Sequence, residues 1–448
     1  MINNLSTLKG MRDFSPSVMF RRNYILSVVR SAFEKYGFFP IETPAMERLE
    51  TLTDKYGDEG DRLIFKILNS GDFFSKIDQS KIIDSKMLTS EISSKALRYD
   101  LTVPFARYVA QNRNDIVFPF KRYQMQNVWR ADRPQKGRFR EFFQCDADII
   151  GTDSLLSEIE LIQLSDDIFN DLGMSDIEIC INNRKILLGM TEVMKEEDRF
   201  NDIVVAIDKL DKIGFQGVKD DMISKGLSND AINILEKFLR TQDLLEINNL
   251  LIESDIGQEG VREILYVTEN INLLNLNVSK LRFSISLARG IDYYTGSILE
   301  VKQNDISIGS IAGGGRYDNL TSIFGLDNIS GVGISFGIDR IYMVMEENNC
   351  FPDYIDQGVE VMILNFGKQE SIYCLKMIKK LRDNNISCEL YPDNDKIKKQ
   401  MNYANRKKVS FVIMIGEDEI RNNKISVKDM KSGNQNLTTM DEFISRII

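Results

Sequence analysis

The sequence predicts an α+β fold for the larger part of the chain and a separate α/β domain at its C-terminal end. Residues 17–36 carry apolar side chains at helical spacing, and residues 38–44 follow with a strand pattern that ends at a proline. The charged region 188–275 has a helical pattern, which indicates a helical insertion. From residue 354 onward, strand and helix patterns alternate, as in a parallel sheet covered by helices. The predicted domains are one divided domain (1–187 and 276–350), the insertion (188–275) and a C-terminal domain (354–448).

The remaining elements are predicted in chain order. Residues 69–95 are rich in Ser, Asp and Lys, so we expect a surface excursion of the chain. Residues 98–104 predict a strand with Asp100 and Thr102 on one face, because strand side chains alternate with a period of two. In the glycine cluster 312–318, the three glycines at 313–315 either let a ligand approach the backbone or form a tight turn. Further expected elements are a helix at 154–171, strands at 177–181, 281–287 and 298–301, a strand running into a helix at 331–340, and strands at 359–366, 386–391 and 411–416.

Composition restricts the class of protein. The length of 448 residues allows about three domains, and 43% hydrophobic with 28% charged residues is typical of a globular protein. No apolar run approaches the ~20 residues of a membrane-spanning helix, and the first residues lack the hydrophobic segment of a signal peptide. Five scattered cysteines without a CxxC pair suit reduced thiols and argue against structural zinc. We therefore expect a cytoplasmic protein with no membrane partner.

The chain contains no histidine. This excludes Ser-His-Asp and Cys-His nucleophiles, HExxH metalloprotease sites and Cys2His2 zinc sites. Any catalysis must use arginines, carboxylates, glutamines, tyrosines or a metal. Adenylyl transfer from ATP meets this restriction, because a substrate carboxylate is already a nucleophile that the protein need only position.

Residues 130–148 are the most informative segment. Five cations lie within eleven residues, and the alternation that follows Arg138 predicts a cationic turn between two strands. Guanidinium groups fixed on strands suit bidentate contacts to phosphate, so polyphosphate or nucleic acid is the implied ligand. The alternative is a solvated hairpin whose arginines pair with Asp132 and Glu141. Because the net charge is −10, any RNA contact has to come from local patches. A second cationic patch consists of Lys396, Lys398, Lys399, Arg406, Lys407 and Lys408.

Three segments resemble one family. The order of residues in 129–144, an aromatic followed by Arg-x-Asp, the loop Arg-Pro-Gln-Lys-Gly-Arg and then Arg-Glu-Phe-x-Gln, resembles motif 2 of class II aminoacyl-tRNA synthetases. Residues 287–296, Leu-Ala-Arg-Gly-Ile-Asp-Tyr-Tyr-Thr-Gly, are similar to the histidine-binding signature of histidyl-tRNA synthetases, and residues 333–340 are similar to class II motif 3. The helix and proline-terminated strand at 17–44 resemble motif 1, the dimer interface of that family. The resemblance covers nearly the whole chain.

This resemblance implies both a fold and an activity. The fold would be an antiparallel-sheet catalytic domain with a helical insertion, followed by an α/β anticodon-binding domain. The activity would be ATP-dependent ligation of L-histidine to its cognate tRNA, tRNA(His), through histidyl-adenylate, with release of AMP and pyrophosphate. A homodimer and Mg²⁺ bound to the ATP phosphates are implied as well, with no metal site formed by protein residues.

The resemblance also assigns roles to individual residues. Arg289 and Arg130 would be catalytic, at the α-phosphate of ATP. The implied ATP-binding residues are Arg130, Asp132, Arg138, Phe142 and Arg340, with aspartate at 132 where the family usually has glutamate. The implied histidine-binding residues are Asp100, Thr102 and Gln144 for the α-ammonium group, Asp148, Tyr294 and Tyr317 for the imidazole, and Arg289. Arg133 and Gln135 would contact the tRNA acceptor end, and the C-terminal patch the anticodon arm. Tyr293 would face the core, because it neighbours Tyr294 on a strand.

Besides a synthetase for a different amino acid, against which the signature at Arg289 argues, two alternatives stay open. One is the histidine-sensing regulatory subunit of ATP phosphoribosyltransferase, a non-catalytic paralogue that typically lacks the C-terminal domain. The other is a tRNA-binding module that has lost catalysis. The absence of histidine has two explanations as well: compositional drift, or selection for an enzyme whose own synthesis needs no charged histidine tRNA.

Overall fold

The computed structural model describes residues 5–53, 62–74, 77, 84–288, 293–304, 308–355 and 358–448, without the side chains of Lys86 and Asp211. The chain divides into unit 1, Met1–Phe351, and unit 2, Pro352–Ile448. Within the described ranges, no helix has the length and apolar character needed to cross a membrane.

Unit 1 is built around a mainly antiparallel sheet. Its strands are β1 (Phe39–Pro40), β2 (Met46–Arg48), β3 (Lys66–Ile67), β4 (Lys95–Leu97), β5 (Phe120–Trp129), β6 (Glu141–Ile150), β7 (Ile177–Asn183), β8 (Ser279–Phe283), β9 (Ser297–Gln303), β10 (Ala312–Arg316) and β11 (Gly331–Gly337). In the described part of the chain, eight of them form a sheet in the order β1-β5-β6-β11-β10-β9-β7-β8. The outer pairs β1–β5 and β7–β8 are parallel, and the pairs between them are antiparallel. Strands β2, β4 and β3 form a small antiparallel sheet.

Helices surround this sheet and continue through the predicted insertion. The helices of unit 1 are Pro16–Lys35, Leu49–Leu52, Ser85–Ile92, Thr102–Gln111, Leu156–Asp171, Arg184–Met194, Phe200–Ile207, Leu210–Ser224, Asn229–Arg240, Leu244–Leu250, Asp255–Leu274 and Ile338–Glu347, with 3-10 turns at Glu197–Arg199 and Leu320–Phe324. The predicted domain limits at 187, 275 and 350 stay a prediction.

The helix Pro16–Lys35 forms where its apolar stripe predicted it. Its N-cap is Ser15, because Ser15 Oγ accepts a hydrogen bond from the Val18 amide and Pro16 occupies the first helical position. The buried stripe packs on the central strands. Phe33 lies 5.4 Å from Tyr123 of β5 and 6.0 Å from Phe336 of β11, measured between ring centroids. The helix and the sheet thus share one core.

The strand predicted over residues 98–104 is wrong. The helix Thr102–Gln111 begins there, and Asp100 Oδ1 accepts a hydrogen bond from the Val103 amide at 3.2 Å. A short polar side chain that bonds to a nearby backbone amide favours a turn over a strand. Asp100 and Thr102 therefore approach each other through a turn and not through strand alternation.

Two other predictions of local structure need correction. The strand expected at 38–44 is limited to Phe39–Pro40, since prolines supply no amide donor to a strand ladder. The tight turn considered for the glycine cluster is also wrong, because Ala312–Arg316 is the strand β10 in the middle of the sheet.

Unit 2 has a mixed sheet covered by helices. Its strands are β12 (Val361–Ile363), β13 (Cys388–Leu390), β14 (Phe411–Met414), β15 (Ile425–Asp429) and β16 (Gln435–Thr438), and its helices are Lys368–Asp383, Ile397–Arg406, Glu417–Arg421 and Met440–Ile447. The predicted parallel arrangement is confirmed for β13-β12-β14. The sequence analysis missed β15 and β16, which extend the sheet in antiparallel fashion.

A buried ion pair ties the helix Leu156–Asp171 to β10. Arg316 donates to both carboxylate oxygens of Glu158, from Nε and Nη2, each at 2.7 Å. Glu158 is fully buried, and Ser297 Oγ donates to its Oε1 at 3.1 Å. Loss of either partner would leave the other charge buried and uncompensated.

We therefore predict that Glu158→Ala lowers the free energy of unfolding by ~3–5 kcal/mol, the usual cost of breaking a buried ion pair by removing one partner. Urea denaturation followed by fluorescence of Trp129, the sole tryptophan, measures this in unit 1. Glu50→Ala is the matched control, because Glu50 pairs with Arg48 at the surface. Equal midpoints for Glu158→Ala and the wild type would show that the buried pair contributes no stability.

Candidate active site

A cleft in unit 1 is lined by β6, β10, β11, the loop between β5 and β6, and the residues that lead into the helix Thr102–Gln111. Its empty space, which includes open solvent at the mouth, is about 1090 Å³. Most residues that the sequence analysis assigned to ATP and histidine lie around it. These are Asp100, Thr102, Arg130, Asp132, Arg138, Phe142, Gln144, Asp148, Tyr294, Tyr317 and Arg340.

Three predicted site residues are not among those that line the cleft. Arg289 lies outside the described residues. Arg133 and Gln135 are exposed on the loop between β5 and β6, whose Gly137 and Arg138 do line the cleft. The loop therefore has one part that faces the cleft and another that faces solvent.

The structure adds residues that the sequence analysis did not identify. They are Asp146, Ser310, Ser335, Phe139 and Asp339. Strand alternation could have found Asp146, because it lies between Gln144 and Asp148 on the same face of β6. Tyr293 is half-buried and packs against a hydrophobic core cluster, as expected, but the expected strand position is wrong. Tyr293 precedes β9, outside any strand alternation, and it lines the cleft, where its hydroxyl donates to Asp100 Oδ2 at 3.4 Å.

Alternation along β6 separates the cleft from the core. Gln144, Asp146 and Asp148 line the cleft, whereas Cys145 and Ala147 belong to the hydrophobic core under the helices. The polar row is thus held by a strand in the interior of the sheet, between β5 and β11. Side chains on such a strand have little freedom to move, which suits a binding site.

Glycines on β10 and β11 let these strands approach the polar row closely. Gly333 pairs with Asp148, and a Cβ atom at position 333 would lie 2.0 Å from Asp148 Oδ1. A Cβ atom at Gly314 would lie 1.9 Å from the Gly333 carbonyl oxygen. The glycines at 313–315, which the sequence analysis expected to let a ligand approach the backbone, line the cleft, and that role stays a prediction.

Buried carboxylates and a buried arginine dominate one group of lining residues. Asp148 Oδ1 accepts a hydrogen bond from the Tyr317 hydroxyl at 2.5 Å, and Oδ2 lies 2.8 Å from Nη2 of the fully buried Arg122. Burial raises the pKa of Asp148, and Arg122 counteracts this rise. Burial also raises the pKa of Tyr317 well above its usual value, so the hydroxyl stays a hydrogen-bond donor.

Arginines dominate a second group. Arg130 donates from Nε to the Tyr99 carbonyl at 3.1 Å, and its guanidinium carbon lies 4.1 Å from the Tyr99 ring centroid and 5.3 Å from that of Phe142. Burial would lower the pKa of Arg130, but Tyr99, Asp100 and further acidic neighbours raise it, so the residue stays charged. Arg340 donates to the Gly137 and Ser310 carbonyls at 2.9 and 2.6 Å. Both guanidinium groups are therefore held in place by the backbone.

The geometry of Arg138 agrees with the alternative interpretation of this segment, a solvated hairpin whose arginines pair with carboxylates such as Asp132. Arg138 is largely exposed and lies 3.6 Å from Asp132 Oδ1. An ion pair of this kind contributes little stability, so Arg138 can exchange Asp132 for a ligand at small cost.

Residues 10–14 form an N-terminal arm that contacts residues of the cleft, although they belong to none of the predicted motifs. Arg12 forms an ion pair with Asp339, and its guanidinium carbon lies 3.2 Å from the ring centroid of Phe139. Arg22 also binds Asp339, at 2.6 Å. Because Asp339 directly precedes Arg340, this arm helps to fix the start of the helix that carries Arg340.

Unit 2 carries a cationic surface of its own. Four members of the C-terminal patch, Lys396, Lys398, Lys399 and Arg406, line a groove with Tyr391 and Tyr403. The rings of Tyr391 and Tyr403 meet edge to face with centroids 5.3 Å apart. Lys407 instead pairs with Glu389 at 2.7 Å. Aromatic rings next to cations are a common feature of surfaces that bind single-stranded nucleic acid.

Known proteins resemble this chain over its full length. The histidyl-tRNA synthetase family model matches residues 85–341, and the anticodon binding domain model matches residues 360–448. The chain is 52% identical to the histidine–tRNA ligase of Christiangramia forsetii, over 97% of each chain, and 49% identical to that of Phocaeicola vulgatus, over 98% of this chain and 97% of the relative. The crystal structure of histidyl-tRNA synthetase from Nostoc sp. PCC 7120 matches with a TM-score of 0.82 at 30% identity, over 99% of this chain and 100% of that one.

The packing around Asp148 yields a prediction. Gly333→Ala places a methyl group within 2.0 Å of Asp148 Oδ1 and should lower the free energy of unfolding by ~1–3 kcal/mol, the usual cost of overpacking. Gly337→Ala is the control, since a Cβ there would meet only the Ile311 carbonyl oxygen, at 3.5 Å. Urea denaturation followed by Trp129 fluorescence compares the two. Equal stability of both variants would mean that β11 yields readily at position 333.

Proposed function

The chain belongs to the histidyl-tRNA synthetase family and ligates histidine to tRNA, and on this basis we propose how its residues carry out the reaction. The observation that supports the proposal best is the lining of one cleft by both sets of groups that the reaction needs. Arg130 and Arg340 suit the phosphates of ATP, and the buried Asp148 with Tyr317 suits an imidazole ring. The overall reaction consumes ATP and releases AMP and pyrophosphate.

The arginines bind and orient ATP. We assign the α-phosphate to Arg130 and the γ-phosphate to Arg340, because a guanidinium held by backbone carbonyls is already oriented when the nucleotide arrives. Phe142 stacks on the adenine, with Asp132 near its amino group. Arg138 contributes further positive charge at the triphosphate. Arg289 is assigned to the α-phosphate from the sequence signature alone.

In this proposal, Asp148, Tyr294 and Tyr317 bind the histidine side chain. A neutral imidazole has one donor and one acceptor nitrogen. Asp148 accepts a hydrogen bond from the donor nitrogen of the imidazole, as it already does from the Tyr317 hydroxyl. Tyr294 donates to the other nitrogen. Asp100, Thr102 and Gln144 surround the α-ammonium group.

The chemistry proceeds in two steps. An oxygen of the histidine carboxylate attacks the α-phosphorus of ATP, the bond to the pyrophosphate oxygen breaks, and histidyl-adenylate forms. Arg130 and Arg289 stabilise the negative charge that develops at the α-phosphate. A hydroxyl of the 3′-terminal ribose of tRNA then attacks the carbonyl carbon, and AMP leaves.

Magnesium enters this proposal as the counterion of ATP. Mg²⁺ typically takes its ligands from substrate phosphates and water, with one or two carboxylates. Within the described residues, no group of three or more His, Cys, Asp or Glu side chains is arranged to hold a metal. An ion carried by the ATP phosphates needs no such group.

Contacts to tRNA(His) are divided between two surfaces. Arg133 and Gln135 are exposed on the loop that also lines the cleft, so they suit the acceptor end. The groove of unit 2, with Lys396, Lys398 and Arg406, suits the anticodon arm. The match of residues 360–448 to an anticodon binding domain supports this assignment.

A homodimer and a cytoplasmic location complete the proposal. Phe39 on the edge strand β1 is 65% exposed, and Met46 nearby in the chain is 54% exposed. Apolar side chains at an exposed edge strand favour association with a second copy, at the segment that resembles motif 1. All five cysteines are free thiols, as suits a reducing compartment.

The regulatory paralogue is less supported as an alternative. Relatives about half identical over the whole length carry the name histidine–tRNA ligase, and the C-terminal region matches an anticodon binding domain.

The function is tested by histidine-dependent exchange of labelled pyrophosphate into ATP, followed by charging of tRNA(His). We expect exchange with histidine, none without an amino acid, and charging only with tRNA(His). If the folded protein binds histidine but supports no exchange, it is a sensor and not a ligase.

The tRNA assignment predicts separable effects on the two steps. Arg133→Ala should reduce the rate of aminoacylation by ~10-fold or more, the scale of a lost arginine contact to a base, and leave pyrophosphate exchange within about twofold, because Arg133 does not line the cleft. Arg48→Ala, which removes another exposed arginine, should change neither rate. Should Arg133→Ala reduce exchange as much as charging, the residue belongs to the ATP site.

A further inference from the structure

The polar residues of β6 differ in how well their buried atoms are satisfied. Asp148 is engaged by Tyr317 and Arg122. Asp146 is 2% exposed, and its Oδ1 has no hydrogen-bond partner within the described part of the chain. The same holds for Oε1 of Gln144, whose Nε2 donates to Ser335 at 2.8 Å. Two acceptors without donors therefore lie two residues apart on one wall of the cleft.

Buried acceptors without donors are unfavourable and rare in folded proteins. When two of them line a cleft, a ligand that brings several N–H or O–H groups is the simplest explanation. Of the groups of histidine, the α-ammonium carries three N–H donors, whereas a neutral imidazole carries one.

The charges around Asp146 point to the same group. The charged residues that act on Asp146 are Arg122 on β5, Asp148 on β6, Asp100 ahead of the helix Thr102–Gln111, and Arg98 next to β4. Ser335 on β11 is neutral and hydrogen-bonds to Asp146. Arg122 is paired with Asp148, and Arg130 acts on Asp100. Asp146 has no ion pair of its own among the described residues, and a cationic ligand would supply one.

We propose that Asp146 is a further specificity-determining residue, which binds the α-ammonium group of substrate histidine together with Oε1 of Gln144. This inference rests on the proposed function, because it takes histidine as the ligand of the cleft. Asp100, which the family resemblance assigns to the same group, already accepts from the Val103 amide at 3.2 Å and the Tyr293 hydroxyl at 3.4 Å. Asp146 supplies the carboxylate oxygen that is still without a donor.

A proton should be released when the ammonium binds. Burial raises the pKa of Asp146 to about 7, against the lowering effect of Arg122. The empty site is therefore partly protonated at neutral pH. Because a bound cation stabilises the ionised carboxylate, it lowers this pKa and expels the proton.

The first experiment compares histidine with imidazolepropionate, which has the imidazole and the carboxylate but no ammonium group. Asp146→Asn should weaken histidine binding by ~10-fold or more, the scale of a hydrogen bond to a charged group, and leave imidazolepropionate binding within about twofold. Asp167→Asn is the matched control. Asp167 lies on the helix Leu156–Asp171, which is not part of the cleft lining, and it binds Lys35 and Tyr36. Equal losses for both ligands would overturn the proposal.

The second experiment needs no variant and covers the case in which Asp146→Asn fails to fold. Titration calorimetry of the wild type at pH 7, in buffers of different ionisation enthalpy, should show release of at least ~0.5 proton per histidine bound. The imidazole of histidine can account for at most about 0.25. Imidazolepropionate brings the same imidazole to Asp148 but no ammonium group, so it should release no more than that share. Equal proton release by the two ligands would remove Asp146 from the site while leaving the ligase function intact. Failure of the wild type to bind histidine would instead contradict the proposed function.

Discussion

The close approach of strand β11 to the carboxylates of β6 is the constraint on which the cleft depends. The antiparallel register sets Gly333 against Asp148, with no space for even a methyl group between them. On the next strand, Gly314 approaches the Gly333 carbonyl just as closely. Because Gly313, Gly314 and Gly315 of β10 and Gly333 of β11 have no side chains, the middle of the sheet is left open as a cleft. The opposite face of β6 stays apolar and packs beneath the helices, so one strand serves both core and site.

This arrangement places carboxylates where water cannot reach them. Burial of a charge is unfavourable unless the charge is paired and hydrogen-bonded. Arg122 compensates Asp148 directly, and Tyr317 adds a hydrogen bond. The compensation is incomplete at Asp146. In the proposal above, this imbalance favours a cationic ligand over a neutral one, at the expense of the stability of the empty protein. Such local conflicts with stability are expected at functional sites.

The arginines of the cleft are fixed from more than one direction. Backbone carbonyls hold Arg130 and Arg340, and the N-terminal arm holds Asp339 next to Arg340 through Arg12. Preorganised positive charge is effective in catalysis because it needs no rearrangement when charge develops on the substrate. Arg133 and the groove residues Lys396 and Lys398 are exposed instead, which suits their proposed contact with a large and flexible RNA.

The sequence by itself determined the fold class, the cationic loop between two strands and the strand that runs into a helix near Arg340, and most of the residues that it assigned to ATP and histidine lie in the cleft. It could do so because strand and helix periods and motif order are local properties of the chain. The tertiary structure alone decided the rest. The turn at Asp100 replaced a predicted strand because a side-chain hydrogen bond outweighed the local pattern. Tyr293 and Asp146 entered the cleft, and Arg12 reached Asp339, more than three hundred residues away. Such contacts depend on sheet register and on packing between distant segments, and no local pattern of residues contains that information.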